Sequence, residues 1–227
     1  MKFSNIKLIA LDFDATLVES NQIKDHAFDT IFNLWPEHKE EMMHWHYSHN
    51  SIDRREKFKY FVENFLNITE RDNLIEELST KFEKLTRMAI IECAFVNGAE
   101  DFLKNIYGRF LVYLVSATPQ LELELILKSK GLEKAFNKVH GAPINKKNIL
   151  KKVIEEKKLL AREIIYIGDS PEDQDCAKVL GINFIGRYSG RVINDTTHFV
   201  FNDFYEIQTH MRKYYDLKYK LLHFALN

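Results

Sequence analysis

Short, continuously apolar segments recur along most of this chain and stop abruptly at polar residues. They are rich in Ile, Leu and Val and show no polar alternation, which is typical of strands buried on both faces of a parallel sheet. The clearest of these segments are 6–13, 110–118 and 163–170, and weaker ones are 138–142, 183–187 and 198–202. The hydrophobic pattern therefore predicts a sheet built mainly from parallel strands.

Amphipathic segments with helical spacing follow the strand candidates in the second half of the chain. These segments are 119–131, 145–159 and 171–181. Gly131 and Gly181 stand where a helix C-terminus favours glycine, and Pro171 stands at a first-turn position. Strands that alternate with helices are connected by right-handed crossovers. We therefore predict the α/β class, with a doubly wound, Rossmann-like parallel sheet.

Residues 20–92 interrupt this alternation, because they contain helical patterns but no convincing strand. Helical spacing is clearest at 23–35, 54–66 and 70–90. The chain returns to the core pattern near the pair Asn97-Gly98, which is typical of a turn. We predict an all-helical cap domain at 20–92, inserted in an α/β core domain made of 1–19 and 93–227.

The C-terminal segment repeats apolar residues with helical spacing. Phe204, Ile207, Met211, Tyr214 and Leu221 would share one face of this helix. Such a face either closes over the core of the same chain or forms a dimer interface. The pattern leaves both open, so we expect a monomer or a homodimer.

Composition narrows the class of protein further. The chain has 227 residues, 45% of them hydrophobic, and a net charge of −1. Since the surface has no excess of positive charge, we expect no nucleic-acid partner and no anionic membrane partner. No apolar run approaches the roughly 18 residues of a membrane span, and the short N-terminal run predicts no signal peptide. Cys93 and Cys176 are too few for a disulfide framework, so we predict a soluble cytoplasmic protein with reduced thiols.

Polar side chains suited to chemistry lie at the ends of the clearest strands. They are Asp12, Asp14 and Thr16 after the first, Ser116 at the end of the second, Asp169, Ser170 and Asp173 after the third, and Lys146 at a helix start. Ligands of open parallel sheets bind outside the carboxyl ends of the strands, so we expect one shared site. Two carboxylates ~4 Å apart repel by roughly 4 kcal/mol at an effective dielectric of about 20. A divalent cation would remove this repulsion, and ligation by oxygen atoms alone selects Mg²⁺.

Four short motifs at these positions resemble those of the haloacid dehalogenase superfamily of phosphotransferases. The segment DFDATL, from Asp12, resembles the first motif, whose usual form is DxDGT followed by Leu or Val. Ser116 matches the second motif and Lys146 the third, and IGDSPED, with Asp169 and Asp173, matches the fourth. The helical insert between the first two motifs resembles the cap of the phosphoglycolate-phosphatase-like branch.

The resemblance implies a role for each of these residues. Asp12 would be the nucleophile that forms an aspartyl-phosphate, and Asp14 would be the general acid and base. Mg²⁺ would be held by the carboxylates of Asp12 and Asp169 and by the backbone carbonyl of Asp14. Asp173 would hold a metal-bound water or orient its neighbours. The groups that would neutralise the charge on the phosphoryl oxygens are Thr16, Ser116 and Lys146.

The function implied by this resemblance is Mg²⁺-dependent hydrolysis of a small phosphorylated metabolite, of the phosphoglycolate or sugar-phosphate type. A phosphomutase similar to β-phosphoglucomutase would use the same nucleophile and metal, and the core motifs do not separate the two. A non-catalytic binding protein on the same fold is less favoured, because such proteins usually lose the nucleophile or the fourth-motif aspartate. Asp14 also argues against a dehalogenase, which usually lacks the second aspartate.

Two positions in the motifs need separate interpretation. Ala15 replaces the usual glycine, and we expect a near-helical backbone there, in which alanine is unstrained. Lys147 is adjacent to Lys146 and could bind phosphate instead. The helical period turns Lys147 about 100° away, and similarity to the GAPxxK spacing of relatives favours Lys146.

The cap supplies the candidates for recognition of the leaving group. The polar candidates in segment 44–61 are His49, Asn50, Arg54, Arg55 and Lys57. Arg54 and Lys57 would share one helix face, so we predict that Arg54 contacts the substrate, with Lys57 beside it. A solvated charged surface is the alternative. The histidines at 44, 46 and 49 do not align on one helix face, so we expect no zinc site.

Overall fold

A computed structural model describes residues 5–49, 52–66, 68, 71–190, 193 and 199–214. The strands are β1 (Leu8–Leu11), β2 (Leu111–Pro119), β3 (Lys138–Ala142), β4 (Ile164–Gly168), β5 (Asn183–Arg187) and β6 (Val200–Phe201). The helices that precede β2 are α1 (Asn21–Phe32), α2 (Lys39–Ser48), α3 (Arg54–Asn64), α4 (Arg71–Glu92) and α5 (Ala99–Ile106). The helices that follow it are α6 (Gln120–Ser129), α7 (Lys146–Lys157), α8 (Pro171–Leu180) and α9 (Phe204–Tyr214).

All neighbouring strands in the sheet are parallel, in the order β3-β2-β1-β4-β5-β6. The central strand β1 is wholly buried, because helices cover both faces of the sheet. On one face α5, α6 and α9 pack through Phe102, Ile126 and Ile207. On the other face α7 and α8 pack through Leu150 and Ala177. The doubly wound α/β sheet predicted from the apolar runs is confirmed.

Helices α1 to α4 pack together through aromatic side chains. Phe28 lies at the centre of this cluster, with its ring centroid 4.5 Å from that of Phe82 and 5.4 Å from that of Phe58. Phe32 and Phe61 extend the cluster and meet edge to face. No strand occurs among the described residues from α1 to the end of α4. The segment has the all-helical character predicted for the cap.

Two chain segments connect the cap helices to the sheet, and they lie side by side. Val18 on the first connection forms an antiparallel bridge with Phe95 on the second. The Lys130 ammonium, at the end of α6, donates to the backbone carbonyls of Ile91 and Cys93 at 2.9 and 2.8 Å. The point where the chain leaves α4 and re-enters the core is therefore held by both backbone and side-chain hydrogen bonds.

The C-terminal helix α9 packs on the core. Phe204, Ile207 and Met211 are all buried in the cluster formed with the sheet and α5. These contacts agree with the interpretation of a helix that closes over the core of its own chain. The side chain of Tyr214 and the whole of Leu221 lie outside the described residues. The alternative of a dimer interface stays a prediction.

Two predictions from composition bear on the environment of the chain. Cys93 and Cys176 are both free thiols. Cys176 is buried, and Cys93 is half-buried just after α4. Among the helices described, none combines the length and the apolar character that crossing a bilayer would take.

Candidate active site

Three aspartates meet where the central strands β1 and β4 end. Asp12 follows β1 and Asp169 follows β4, and the Asp12 amide donates to the Ile167 carbonyl at 2.9 Å. Asp173 lies in the first turn of α8. All three are buried, and one carboxylate oxygen from each lies within 4.8 Å of the others. The fold therefore brings together carboxylates that are far apart in the sequence.

The Lys146 ammonium lies between two of these carboxylates. Lys146 is the first residue of α7, and its Nζ is 3.0 Å from Asp12 Oδ1 and 2.8 Å from Asp173 Oδ1. Burial disfavours the charged form, but the two carboxylates outweigh burial and raise the pKa of Lys146. Lys147, in contrast, is exposed. Of the two lysines, Lys146 is the one that the fold places beside the aspartates.

Asp173 is fixed by hydrogen bonds to both of its oxygens. Oδ1 accepts from the Tyr166 hydroxyl at 2.6 Å, and Oδ2 accepts from the Ser170 hydroxyl at 2.7 Å. Burial favours the neutral carboxyl group, but Lys146 and these hydrogen bonds outweigh it and lower the pKa of Asp173. Gly168 permits the close approach, because a Cβ there would lie 2.6 Å from the Asp173 side chain. The lowered pKa of Asp173 favours the anion, whose Oδ1 is 2.8 Å from Lys146 Nζ.

Asp12 is held in an environment that disfavours its charge. Burial raises the pKa of Asp12 well above its ordinary value, Lys146 opposes this effect, and Asp173 and Asp169 add to it. Burial, more than the neighbouring aspartates, therefore disfavours the charged form of Asp12. A cation bound beside Asp12 would oppose this shift.

Asp14 lies outside the group of three aspartates and is held by other side chains. Its Oδ1 accepts from the Ser20 hydroxyl at 2.8 Å, and its Oδ2 accepts from the Thr118 hydroxyl at 2.7 Å. The Lys24 ammonium, on α1, is 2.6 Å from the same Oδ2. Burial would raise the pKa of Asp14, but Lys24 and the hydroxyls outweigh it and lower that pKa. Neither Lys24 nor Thr118 belongs to a motif in the sequence, and the only local sign of Thr118 is its position two residues after Ser116.

Ala15 adopts a left-handed backbone conformation, with φ of +55°. The expectation of a near-helical backbone at this position is therefore wrong. Its amide donates to the Ser20 hydroxyl at 3.1 Å and its carbonyl accepts from Arg187 Nη1 at 2.8 Å, so one nearby residue and one distant residue hold the conformation. The left-handed region costs an L-residue roughly 1–2 kcal/mol, and burial of the alanine methyl group offsets about 0.8 kcal/mol. Alanine is tolerated where glycine is usual, at a small net cost.

The two predicted hydroxyl groups are buried beside the aspartates. Thr16 Oγ1 donates to Asp169 Oδ1 at 3.3 Å. Ser116 lies within β2 rather than after it, and its Oγ accepts from the Thr118 amide at 3.1 Å. Thr16 thus orients one of the candidate metal ligands in this structure, and the Ser116 hydroxyl group is oriented by its own strand.

A small cavity separates Asp12 and Asp14 from the cap helices. Its volume is about 50 Å³, enough for a few water-sized groups. The cap residues that line it include Phe28, His46, Arg54, Lys57 and Phe82. Arg54 and Lys57, the predicted pair on one face of α3, therefore border the same cavity as the two catalytic candidates.

Arg54 connects the cap to the core. Its Nη1 is 2.6 Å from Glu122 Oε2 on α6, and its Nη2 is 3.5 Å from Glu83 Oε2 on α4. Burial raises the pKa of Glu122, and Arg54 opposes that shift. Arg54 borders the cavity, as its predicted substrate role requires, but its charge is matched by two carboxylates.

The other cap candidates have different surroundings. Arg55 is exposed and forms an ion pair with Glu76. His49 Nδ1 hydrogen-bonds to the end of its own helix, α2. Asn50 lies outside the described residues. His46 is buried and borders the cavity, although its position in the sequence gives no sign of this.

A wider groove opens on another side of the site, with a volume of about 460 Å³. Ser116 and Lys146 border it, together with the apolar residues Ile52, Pro143 and Ile144. Asp14 borders the small cavity but not this groove. The two spaces have Ile52, Ala117 and Lys146 in common, so of the phosphate-binding candidates Lys146 borders both.

Comparison with known proteins agrees with the motifs. A protein-family model described as haloacid dehalogenase-like hydrolase matches residues 9–187. That range covers most of the chain, with all four motifs and the helical insert. No curated protein sequence matches the chain significantly.

Solved structures with the same architecture cover nearly the whole chain. A predicted phosphatase from Clostridium acetobutylicum is 16% identical with a TM-score of 0.71, over 92% of this chain and 99% of that chain. A predicted phosphoglycolate phosphatase from Haemophilus somnus is 18% identical with a TM-score of 0.70, over 91% and 98%. CbbY from Rhodobacter sphaeroides, in complex with xylulose-(1,5)bisphosphate, is 14% identical with a TM-score of 0.67, over 87% and 94%. At these identities the likeness establishes the fold.

Proposed function

Because the chain belongs to the haloacid dehalogenase-like hydrolase family, we propose that it is a Mg²⁺-dependent phosphatase that acts on a small phosphorylated metabolite through an aspartyl-phosphate. The observation that carries this proposal is the group of Asp12, Asp169 and Asp173, with oxygens within 4.8 Å of one another and Lys146 alongside. Structural relatives named as phosphatases support the reaction class. A substrate of the phosphoglycolate or sugar-phosphate type agrees with the small cavity under the cap.

The chemistry of the donor set fits Mg²⁺. Asp12 and Asp169 would hold the ion with their carboxylates and Asp14 with its backbone carbonyl, and oxygen atoms alone suit a hard cation. Asp173 would keep the neighbouring groups in place. Burial raises the pKa of Asp12 and so disfavours the ionised form that a nucleophile requires. A bound cation would favour that ionised form, which supports a metal site beside Asp12. Mg²⁺, when bound, neutralises charge on these carboxylates and on the phosphoryl oxygens.

The first half of the reaction transfers the phosphoryl group to Asp12. A carboxylate oxygen of Asp12 attacks phosphorus, and the ester P–O bond breaks as the new P–O bond forms. Asp14 donates a proton to the departing oxygen. Lys24 lowers the pKa of Asp14 in the free protein, and the dianionic substrate opposes this effect and favours the protonated form that the step requires.

The second half of the reaction releases inorganic phosphate. Asp14, now ionised, accepts a proton from water as the water oxygen attacks phosphorus. The bond between phosphorus and the Asp12 oxygen breaks, which restores the carboxylate. The groups that stabilise charge on the phosphoryl oxygens in both halves are Thr16, Ser116 and Lys146.

Steady-state hydrolysis of a generic aryl phosphate tests the proposal. With Mg²⁺, the purified protein is expected to release the phenol and inorganic phosphate in equal amounts, and EDTA is expected to stop the reaction. A phosphomutase would instead isomerise a sugar phosphate without net release of phosphate. No turnover of any ester in a broad panel, with or without Mg²⁺, would overturn the proposal in favour of a non-catalytic protein.

Mg²⁺ is also expected to stabilise the folded protein, because the unfolded chain has no assembled group of aspartates. At 100 times its dissociation constant, the ion should raise the free energy of unfolding by about 2.7 kcal/mol. Asp169→Asn is expected to remove most of this gain, as measured by thermal unfolding with Mg²⁺ and with EDTA. Asp175→Asn, an exposed position on α8, is the matched control. An equal gain in both variants would contradict the role of Asp169.

A further inference from the structure

The loop at 12–20, between β1 and α1, carries several of the residues that the proposed reaction uses. It contains Asp12, Asp14 and Thr16 at alternate positions. Ala15 lies between the last two and has a left-handed backbone, with φ of +55°. The backbone angles of Ala15 therefore decide how the side chains before and after it point relative to one another. The arrangement of the loop depends on a conformation that residues other than glycine rarely adopt.

Arg187 contacts this loop from the sheet. Its side chain is buried, and its Nη1 donates to the Ala15 carbonyl at 2.8 Å. Its Nη2 donates to the carboxylate of Glu19, near the end of the same loop. Arg187 is the last residue of β5, and β5 pairs with β4, the strand that Asp169 follows. The guanidinium group therefore connects the loop to the same part of the sheet that carries a candidate metal ligand.

The contact with Arg187 stabilises the backbone at Ala15. A buried carbonyl needs a hydrogen-bond donor, and Arg187 Nη1 supplies a charged one. Glycine adopts the left-handed conformation without a steric penalty, whereas alanine does not. The hydrogen bond therefore favours a conformation that alanine alone would tend to leave.

Ser20 connects the backbone of Ala15 to the side chain of Asp14. The Ser20 hydroxyl group accepts from the Ala15 amide at 3.1 Å and donates to Asp14 Oδ1 at 2.8 Å. A rotation of the backbone at Ala15 would therefore disturb the contact that orients the candidate acid. The guanidinium group of Arg187 thus influences Asp14 without touching it.

We propose that Arg187 is a positioning residue for the phosphatase reaction. It holds Asp14 and Thr16 in their reactive arrangement through the Ala15 carbonyl. It thereby compensates for the alanine that stands where the first motif usually has glycine. The inference rests on the proposed function, because it takes Asp14 as the general acid and Thr16 as a phosphate ligand.

Removal of the guanidinium group tests the proposal. Arg187→Met keeps most of the apolar side chain without its donors. At saturating Mg²⁺ it is expected to lower kcat for an aryl phosphate about 10- to 100-fold, the range that one hydrogen bond from a charged group supplies. KM should change little, because the phosphate-binding candidates Ser116 and Lys146 lie on β2 and α7. An unchanged kcat would overturn the proposal.

Arg162→Met is the matched control. Arg162 is exposed and lies just before β4, so the same substitution there should leave both kcat and KM unchanged. An equal loss of kcat in the two variants would show a general effect of removing an arginine and would overturn the role of Arg187.

A second change at Ala15 separates positioning from a merely structural role. Because glycine has no penalty in the left-handed conformation, Ala15→Gly added to Arg187→Met is expected to raise kcat about 5- to 30-fold. This is the factor that corresponds to the penalty of an L-residue. General damage to the fold would not respond to glycine at this position. A double variant with no gain in kcat over Arg187→Met would overturn the proposal.

The other contact of the guanidinium group has its own variant. Glu19→Gln weakens the ion pair with Arg187 and keeps the donation to the Ala15 carbonyl. Half-exposed ion pairs contribute little, so kcat should change less than about fivefold. A loss as large as that of Arg187→Met would show that Arg187 acts through Glu19, and would overturn the proposal.

The experiment distinguishes two kinds of failure. If the unmodified protein hydrolyses no phosphate ester, the proposed function itself is wrong. If it hydrolyses the aryl phosphate and glycine at position 15 gives no gain, only the role of Arg187 is wrong. Thermal unfolding shows whether each variant is folded. Should Arg187→Met not fold, Arg187→Lys, which lacks the planar fork that reaches both partners, takes its place with and without Ala15→Gly.

Discussion

Asp12→Asn is expected to lower kcat for an aryl phosphate by at least about 10⁴-fold at saturating Mg²⁺. The amide has the size of the carboxyl group but does not form an acyl-phosphate, and loss of a catalytic nucleophile costs roughly 10⁶ in a well-studied case. Phosphate release under steady-state conditions measures the effect. Normal hydrolysis by this variant would contradict the mechanism.

The same variant should not lose stability. Burial raises the pKa of Asp12 well above its ordinary value, and the neighbouring aspartates add to this. A carboxyl group with a raised pKa in the folded state destabilises the protein increasingly as the pH rises above the pKa of the unfolded state. Asn removes this cost, and Lys146 keeps the Asp173 carboxylate as its partner at 2.8 Å, so in EDTA at neutral pH the unfolding temperature is expected to be at least that of the unmodified protein. Lost turnover combined with retained stability would show that the variant is folded and that its defect is chemical.

Lys146→Met is expected to remove both activity and a large part of the stability. The Lys146 ammonium is 3.0 Å from Asp12 and 2.8 Å from Asp173. Removal of one partner from a buried ion pair costs about 3–5 kcal/mol. Thermal unfolding in EDTA measures this loss, and Mg²⁺ is expected to restore part of the stability but not the turnover, because the ion compensates the aspartates without replacing the phosphate ligand.

The loss of stability expected for Lys146→Met should depend on pH, and the direction of this dependence follows from Asp173. Asp173 has a lowered pKa in the folded protein, because Lys146 outweighs the effect of burial. Its contribution to stability is therefore present above the unfolded-state pKa of about 3.9 and is lost as the pH falls through the lower, folded-state value. The difference in stability between Lys146→Met and the unmodified protein should shrink in acid. Lys147→Met, the exposed neighbour, is the control, and an equal loss of turnover there would contradict the assignment.

The sheet could be predicted because its strands are buried on both faces. The residues of β1 and β4 are buried at every position and mostly Ile and Leu, so the pattern needs no knowledge of the neighbouring strands. Helix α2 could not be found in the same way. Its buried residues include Met42, Met43 and His46, set among acidic and aromatic side chains, and they form no clear apolar repeat. Its position is decided by the aromatic cluster of the cap, which is a tertiary property.

The candidate site likewise contains residues that the sequence predicts and contacts that depend on the tertiary structure. Asp12 and Asp169 could be placed together from the sequence, because the topology of a parallel sheet carries the ends of its strands to one edge. The contact between Arg54 and Glu122 depends on how the cap helices lie against the core, and no local pattern encodes it. The conformation of Ala15 was mispredicted for a related reason. Arg187, which bonds to its carbonyl, is 172 residues away in the chain.

The paired connections between sheet and cap have a consequence for proton transfer. Val18 and Phe95 lie side by side where the two connections pass between the cap helices and the sheet. The Asp14 carboxylate has one partner on each side of these connections, Lys24 on α1 and Thr118 on β2. The ammonium that lowers the pKa of Asp14 against the effect of burial is therefore supplied by a cap helix and not by the sheet. The proton affinity of the candidate acid thus depends on how the cap is seated.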